Sequence, residues 1–336
     1  VPGKAHVTIQ DIARKAGVGV GTVSRVLNDA PNVNPQTRQL VQAIMAEVGY
    51  RPRTAAQTLR THKTHEIGFI TDEIASTPFA VDVIRGAQDA AWAHGKILIL
   101  INTNRNPDVL HAALETMLER QVEGIIYAAM FHQPVQLPIT VCELPAVLVD
   151  CYVEDRTLPS VVPDEVTAGR LATATLIERG HRRIGFINNN EATPAAVGRL
   201  AGYRQALAEA GIPFDPLLLC PEASDPDGGY RSVQRLRQQP DPPTAIFCFN
   251  DRMAMGAYAA LRDLKLAIPH DVAVLGFDNQ EIIAANLRPG LTTMQLPHYA
   301  MGQWAIQYLV GEASEAENSH PPQVQLACPL VLRESV

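Results

Sequence analysis

Thr8-Ile9-Gln10-Asp11-Ile12-Ala13-Arg14-Lys15-Ala16-Gly17-Val18, followed shortly by Thr22-Val23-Ser24-Arg25-Val26-Leu27-Asn28, decides how this 336-residue chain is read. Thr8 is a good helix N-cap, and Asp11 stands at N3, where a carboxylate meets the free N–H groups of the first turn. Ile9, Ile12, Ala13 and Ala16 share one face, and Gly17 is placed to end the helix. A second helix is predicted from Val20 to Asn28. Val23, Val26 and Leu27 point inward, and Val20, Gly21, Thr22 and Arg25 point outward. Asn34-Pro35 reads as cap and first residue of a third helix. Leu40, Val41, Ile44, Met45 and Val48 are expected to bury that helix, and Gly49 to close it. Two helices around a tight turn, supported by a third, make a helix-turn-helix whose second helix fits a major groove roughly 12 Å wide.

Gly17-Val18-Gly19-Val20-Gly21 also looks like part of a dinucleotide fingerprint. That motif needs a strand before it and an acidic residue at a later strand end. A helix precedes it here and no matching strand follows, so the reading is set aside.

Charge separates this head from the remainder. Residues 1–65 carry 9 Lys/Arg against 3 Asp/Glu, a net of +6, whereas residues 66–336 carry 19 against 32, a net of −13. A basic end on an acidic protein is suited to phosphate binding at that end alone. Between the two, Arg51-Pro52-Arg53 leads into Thr54-Ala55-Ala56-Gln57-Thr58-Leu59-Arg60, about two turns of potential helix and too short to stand alone. Leu59 is a lone large apolar residue in a basic stretch. It either docks on the body or wedges into a minor groove, with the segment folding only on DNA.

From Glu66 onward short apolar runs alternate with helical patterns. Strands are expected at Ile67–Ile70, Ile97–Ile101, Gly124–Tyr127, Ala146–Val149, Ile184–Ile187, Ala245–Phe249 and Val272–Gly276. Helices are expected at Val81–His94, Pro107–Arg120, Ala168–Arg179, Gly198–Ala210, Tyr230–Gln238 and Asp251–Lys265. Such alternation builds parallel sheets with helices on both faces. Ile67-Gly68-Phe69-Ile70 recurs as Ile184-Gly185-Phe186-Ile187, each followed by a helix containing Gly86 or Gly202, so two similar halves are expected. Ligands bind such folds beyond the strand C-termini. Asp72, Glu73, Asp150, Asn250 and Asp278 fall there, and Arg199 opens a helix of the second half. Carboxylates, amides and one forked guanidinium suit a polyhydroxy ligand. Asn250 and Asp251 equally suit the cap of the next helix.

Other classes fit poorly. No apolar run reaches the roughly 18 residues of a membrane span, and Val1 to His6 show no signal-peptide core. The five cysteines, Cys142, Cys151, Cys220, Cys248 and Cys328, form no C-x-x-C pair and read as buried thiols in a reducing compartment. No nucleophile elbow, phosphate loop or H-E-x-x-H occurs, and the histidines lack metal-ligand spacing. No catalysis, cofactor or metal is expected.

The head resembles the lactose-repressor/galactose-repressor (LacI/GalR) family of bacterial transcription regulators. The resemblance rests on the two strings above, on Val7 before them and on Val48-Gly49-Tyr50-Arg51-Pro52. The body resembles the family's periplasmic-binding-protein-like sensor through Gly180-His181-Arg182-Arg183-Ile184-Gly185-Phe186, Arg199-Leu200-Ala201-Gly202-Tyr203, Asn250-Asp251-Arg252-Met253-Ala254-Met255-Gly256-Ala257 and Gly276-Phe277-Asp278-Asn279. Leu291-Thr292-Thr293 matches the late crossover back to the first half.

The resemblance implies a small all-α helix-turn-helix head and an α/β body of two Rossmann-like subdomains. The expected domains are residues 5–50 for the head, 51–64 for the hinge, and 65–336 for the ligand-binding and dimerisation body. Its first half is about 65–162 plus 292–325, and its second about 163–291 plus 326–336. Val20, Gly21 and Arg25 match base-reading positions. Thr8, Thr22, Ser24, Asn28, Thr37 and Arg38 match phosphate contacts. Arg53, Ala56 and Leu59 complete the DNA-binding set at the hinge, with Leu59 as the minor-groove lever. Arg199, Asn250 and Asp278 match ligand-binding positions, Asp150 a sugar-hydroxyl position and Phe79 a stacking position; Asp72 joins them by its place after the first strand.

The sequence departs from the family pattern at several points. Gly19 replaces a usual serine cap, and Val20 and Gly21 bring no hydrogen-bonding side chain to the groove. Arg25, able to fork onto guanine, is then the main specificity residue. Ser224 stands where relatives carry an aromatic wall and Leu296 where a glutamine is frequent, with Gln295 next to it.

The expected protein is a cytoplasmic, sugar-responsive repressor. It binds a pseudo-palindromic operator in double-stranded DNA as a homodimer, and a carbohydrate effector releases it. The last residues, Leu330 to Val336, show no heptad, so a dimer is expected rather than a coiled-coil tetramer. Two alternatives stay open at this point. One is a corepressor-type regulator whose sugar phosphate or nucleobase strengthens DNA binding; the other is a sugar-binding protein that does not bind DNA.

Overall fold

A computed structural model describes residues 7–27, 29–50, 64–311 and 320–336. The chain divides between Thr64 and His65 into two compact units. Asn28, Arg53, Ala56 and Leu59, and with them the hinge reading, lie outside the described residues.

The first unit holds α1 (Ile9–Ala16), α2 (Val20–Leu27) and α3 (Pro35–Glu47). Thr8 and Asp11 form a capping box: Asp11 N–H donates to Thr8 Oγ1 at 3.3 Å, and Thr8 N–H donates to Asp11 Oδ2 at 2.9 Å. Gly17 takes the left-handed conformation at φ 64° and ends α1. Asn34 caps α3 by accepting from Gln36 N–H at 2.9 Å, with Pro35 behind it. Ile12, Ala13, Ala16, Val23, Val26, Val33, Val41 and Ile44 form the core. Leu40 does not join it and is 48% exposed. Three short helices bury only a narrow stripe of α3, and Leu40 lies about 100° round the helix from Val41.

The second unit alternates strand and helix. In its first half β1 (Glu66–Thr71), β2 (Ile97–Asn102), β3 (Ile125–Pro134), β4 (Ala146–Tyr152) and β5 (Ser160–Pro163) are interleaved with α4 (Val81–Ala93) and α5 (Pro107–Arg120). In the second half β6 (Ile184–Asn189), β7 (Leu219–Glu222), β8 (Ala245–Cys248), β9 (Ala273–Asp278) and β10 (Thr292–Gln295) alternate with α6 (Glu165–Glu178), α7 (Pro194–Glu209), α8 (Pro226–Arg237), α9 (Asp251–Asp263) and the short α10 (Glu281–Ala284). The tail adds α11 (His298–Leu309), β11 (Gln323–Leu326) and β12 (Leu330–Val331).

The two six-stranded sheets run β11-β5-β4-β3-β1-β2 and β12-β10-β9-β8-β6-β7. All pairs are parallel except β10 with β12. Each half therefore repeats one strand order, and each sheet is completed by a tail strand. The repeat seen in the Ile-Gly-Phe-Ile strings is a repeat of architecture.

Glycines set the distance between paired helices. A Cβ on Gly86 of α4 would stand 2.0 Å from Tyr299 O of α11. A Cβ on Gly202 of α7 would stand 2.1 Å from Val166 O of α6.

Two sequence expectations need correction. The return to the first half occurs after Gln295, not at Thr292, because β10 pairs with β9 of the second sheet. Thr292 and Thr293 are fully buried anchors there: Thr292 Oγ1 accepts from Arg333 N–H at 2.9 Å, and Thr293 Oγ1 donates to Asp251 Oδ1 at 2.6 Å. Cys142 is exposed, while the other four cysteines are buried. Helix α11 and the short strands β5 and β7 had no reading in the sequence.

Candidate functional site

On the head, α2 presents Val20, 43% exposed, together with exposed Gly21 and Arg25. A Cβ on Gly21 would meet nothing within 4 Å, so the helix surface there is bare backbone. Gly19 contributes only its carbonyl, which accepts from Thr22 N–H at 2.8 Å. Thr22, Ser24 and Thr37 are half-buried. Two of the expected phosphate contacts also hold the fold. Thr8 caps α1, and Arg38 pairs with Asp29 and donates to Ala30 O at 2.5 Å, tying down the turn between α2 and α3.

In the body, residues leaving the C-terminal strand ends line a cleft of about 410 Å³. Buried Arg199 on α7 stands in its wall. The Arg199 guanidinium donates to Glu165 Oε2 at 2.7 Å and to Phe249 O at 2.5 Å, and lies 3.8 Å from Asp278 Oδ1. It stacks 3.5 Å from the centre of the Phe277 ring. Asp164 caps α6 and so fixes Glu165 in the first turn. Gly198 admits it, since a Cβ there would stand 2.6 Å from Glu165 Cβ.

Burial pushes the Glu165 carboxyl up, but Arg199 and His132 together hold it below its ordinary value. Asp278 has the opposite balance: burial pushes it up to about 7 although Arg199 pulls it down. Beneath the cleft Asp251 is pushed well above the carboxylate range by burial and then by Asp278. Asp150 and Asp278 both adopt positive φ, 56° and 104°. Such backbone strain is concentrated at functional positions.

The first half supplies Asp150, Phe79 and His132. Phe79 meets the His298 ring edge-on at 5.2 Å. His298 Nε2 stands 3.8 Å from Asp150 Oδ2. His132 Nδ1 reaches toward the second half, 3.9 Å from Glu165 Oε1. Asp150 Oδ1, His132 Nδ1 and His298 Nε2 are buried without a hydrogen-bond partner among the described residues.

Two expected wall residues stand differently. Asp72 does not line the cleft. Its carboxylate accepts from Glu73 N–H at 2.6 Å and lies 3.8 Å from Arg105. Burial raises its pKa. Glu73 and Arg105, paired at 3.1 Å, reach the cleft instead. Asn250 is on the wall, but its amide is used: Oδ1 accepts from Met253 N–H at 2.8 Å and Nδ2 donates to Ser224 O at 3.3 Å. Of the two capping readings, Asn250 is the cap, while Asp251 accepts from Gln280 N–H at 2.7 Å. Leu296 lines the cleft and Gln295 does not.

Glu165, His132 and His298 escaped the sequence reading. Glu165 follows a four-residue strand, His132 lies within the register shift between Ala128 and Gln133 of β3, and His298 opens α11. The Asp164-Glu165 pair, an N-cap followed by an acidic first-turn residue, was the one local signal available.

Comparison with known proteins bears on both sites. The description "Bacterial regulatory proteins, lacI family" matches residues 8–53. "Periplasmic binding proteins and sugar binding domain of LacI family" matches residues 64–334. The chain is 35% identical to the HTH-type transcriptional regulator RegA of Clostridium saccharobutylicum, over 98% of each chain. It is 33% identical to the ribose operon repressor of Haemophilus influenzae, again over 98% of each. The structure of the lac repressor dimer bound to operator and the anti-inducer ONPF superposes with a TM-score of 0.79 at 25% identity, covering 98% of this chain and 99% of that one. A helix-turn-helix head, a doubled parallel-sheet body and matches across nearly the whole chain agree: the protein belongs to the LacI family of bacterial regulatory proteins.

Proposed function

We propose that this regulator represses transcription as a homodimer on a pseudo-palindromic operator, and that a sugar bound in the cleft releases it. The observation that carries the effector reading is the pair of unpartnered buried atoms in the cleft wall, Asp150 Oδ1 and His132 Nδ1. A buried polar group left unpaired costs about 1–3 kcal/mol, and ligand hydroxyls remove that cost. Arg199, Asn250, Asp278, Asp150 and Phe79 are the ligand-binding residues of this reading, joined by His132, with His298 backing Asp150 at 3.8 Å. The ribose operon repressor among its relatives supports a carbohydrate effector.

On the DNA side, Arg25 forks onto a guanine, while Val20 and Gly21 read by apolar contact and close backbone approach. Thr8, Thr22, Ser24, Asn28, Thr37 and Arg38 meet phosphates. The hinge residues Arg53, Ala56 and Leu59 order in the minor groove when two chains pair. A sugar that closes the cleft favours the state in which the hinges cannot pair, so operator affinity falls by the ligand's preference for that state. The protein works in the cytoplasm, where its DNA is, and catalyses no reaction.

The test is operator binding by fluorescence anisotropy with and without sugars that stabilise the protein in a thermal-shift screen. Arg25→Ala and Leu59→Ala are each expected to lose operator binding while sugar affinity is kept. Unchanged DNA affinity in both variants would sink the head mechanism. A ligand that raises operator affinity would make the protein a corepressor-dependent regulator.

A further inference from the structure

The charge around the cleft is unbalanced. Asp150, Glu165 and Asp278 stand in its wall, their side chains at most 5% exposed. Arg199 is the one buried arginine or lysine among the described residues, and it is already matched by Glu165 and flanked by Asp278. Arg105 is committed to Glu73 and Asp72 and lies over the Phe131 ring. Glu191 adds a further carboxylate to the lining, and Arg252 is exposed, where water screens it.

Two of the helix ends that meet the cleft are also taken. Thr193 Oγ1 accepts from Ala196 N–H at 3.2 Å on α7, and Asn250 Oδ1 accepts from Met253 N–H on α9. Asp251 adds a carboxylate at the same α9 end. An anion entering beside α7 and α9 finds no spare buried arginine or lysine among the described residues, and both of these helix N-termini are capped.

Hydroxyl groups find the opposite. They donate to carboxylates without adding charge, and Asp150 Oδ1 in the wall is unpartnered on a side chain more than nine-tenths buried. Burial also keeps Asp278 protonated more readily than a free carboxyl, so it can donate to a hydroxyl oxygen as well as accept.

We infer that the cleft selects an uncharged polyhydroxy effector and excludes its phosphorylated or carboxylated counterpart, with Asp150 and Asp278 as the specificity-determining residues. The inference rests on the effector reading above and narrows its ligand class.

The experiment is calorimetry on the full chain with matched compounds: ribose and ribose 5-phosphate, and glucose, glucose 6-phosphate and glucuronate. For any sugar that binds, the anionic partner is expected to bind at least about 100-fold more weakly, the order set by like charges meeting in a desolvated site. Asp150→Asn and Asp278→Asn each remove one ionisable wall carboxyl at constant size, and at about pH 8, above the Asp278 titration, each is expected to narrow that gap by about tenfold. An anionic member binding as tightly as its neutral partner would overturn the inference and leave the effector reading standing. A gap unchanged in both variants would overturn the assignment to these carboxylates. Binding of none of these compounds would count against the sugar reading itself, and the selectivity would fall with it.

Discussion

Arg199 and Glu165 form an ion pair at 2.7 Å with both side chains only 4% exposed. The pair joins two helices of the second half, α6 and α7, at the floor of the cleft. A pair this dry is held against a large desolvation cost, so removing one partner leaves the other charge stranded. Glu165→Ala is expected to destabilise the body by about 3–5 kcal/mol in urea unfolding. Replacing Glu165 and Arg199 together by methionine should recover much of that loss while abolishing effector binding. A Glu165→Ala loss below about 1 kcal/mol would show that the remaining carboxylate, Asp278, suffices for Arg199.

Asp278 makes stability depend on pH in a definite direction. Its carboxyl is raised from 3.8 to about 7 in the folded state, chiefly by burial. The folded state therefore holds its proton where the unfolded chain releases it. The stabilisation is complete below about pH 4 and is lost as pH rises through 7. Within that window one retained proton makes stability fall by at most about 1.4 kcal/mol for each step of one in pH. Asp278→Asn should flatten the decline of stability between pH 4 and 7, measured as denaturation midpoint against pH. An unaltered profile would place the titration elsewhere.

Glycine substitutions should divide by location. Gly86→Ala and Gly202→Ala place a methyl about 2 Å from a carbonyl oxygen of the facing helix. Each is expected to cost about 1–3 kcal/mol or more, because close-packed helices must move apart. Gly21→Ala meets open space and should stabilise the isolated head by up to about 1 kcal/mol through helix propensity. The same change should weaken or re-specify operator binding, since it fills the bare surface of α2. Thermal melts separate the first two from the third, and binding to operator variants tests the last effect.

Arg25 is exposed on α2, and its removal should leave the head folded. Arg25→Ala is expected to cost about 1–3 kcal/mol of operator affinity and to relax preference at one base pair. Arg25→Lys should not restore that preference, because a single ammonium cannot fork onto two guanine acceptors. Effector affinity and the body's melting temperature should stay unchanged in both.

The pattern of correct and incorrect expectations follows the range of the forces involved. The Thr8–Asp11 capping box, the Gly17 stop and the Asn34-Pro35 start involve residues within one turn of each other, and all three appear in the structure. The Ile-Gly-Phe-Ile strings became β1 and β6 because a continuous apolar run must be covered on both faces. Leu40 failed because periodicity reports which residues share a face, not how wide a face the neighbours can cover. Asp72 and Asp150 both follow or end apolar strands, yet only Asp150 lines the cleft.

Local sequence settles the class of element at most positions, the division into a basic head and an acidic doubled body, and the exposed surface of α2. These depend on spacing, capping and composition, which act between near neighbours. The tertiary structure alone decided which charges meet. His298 comes to Asp150 from the far end of the chain, His132 faces Glu165 across the cleft, and Arg199 finds its partner on another helix. Charge compensation in a buried site depends on distances of a few ångströms between residues far apart in sequence, and only the completed fold sets those distances.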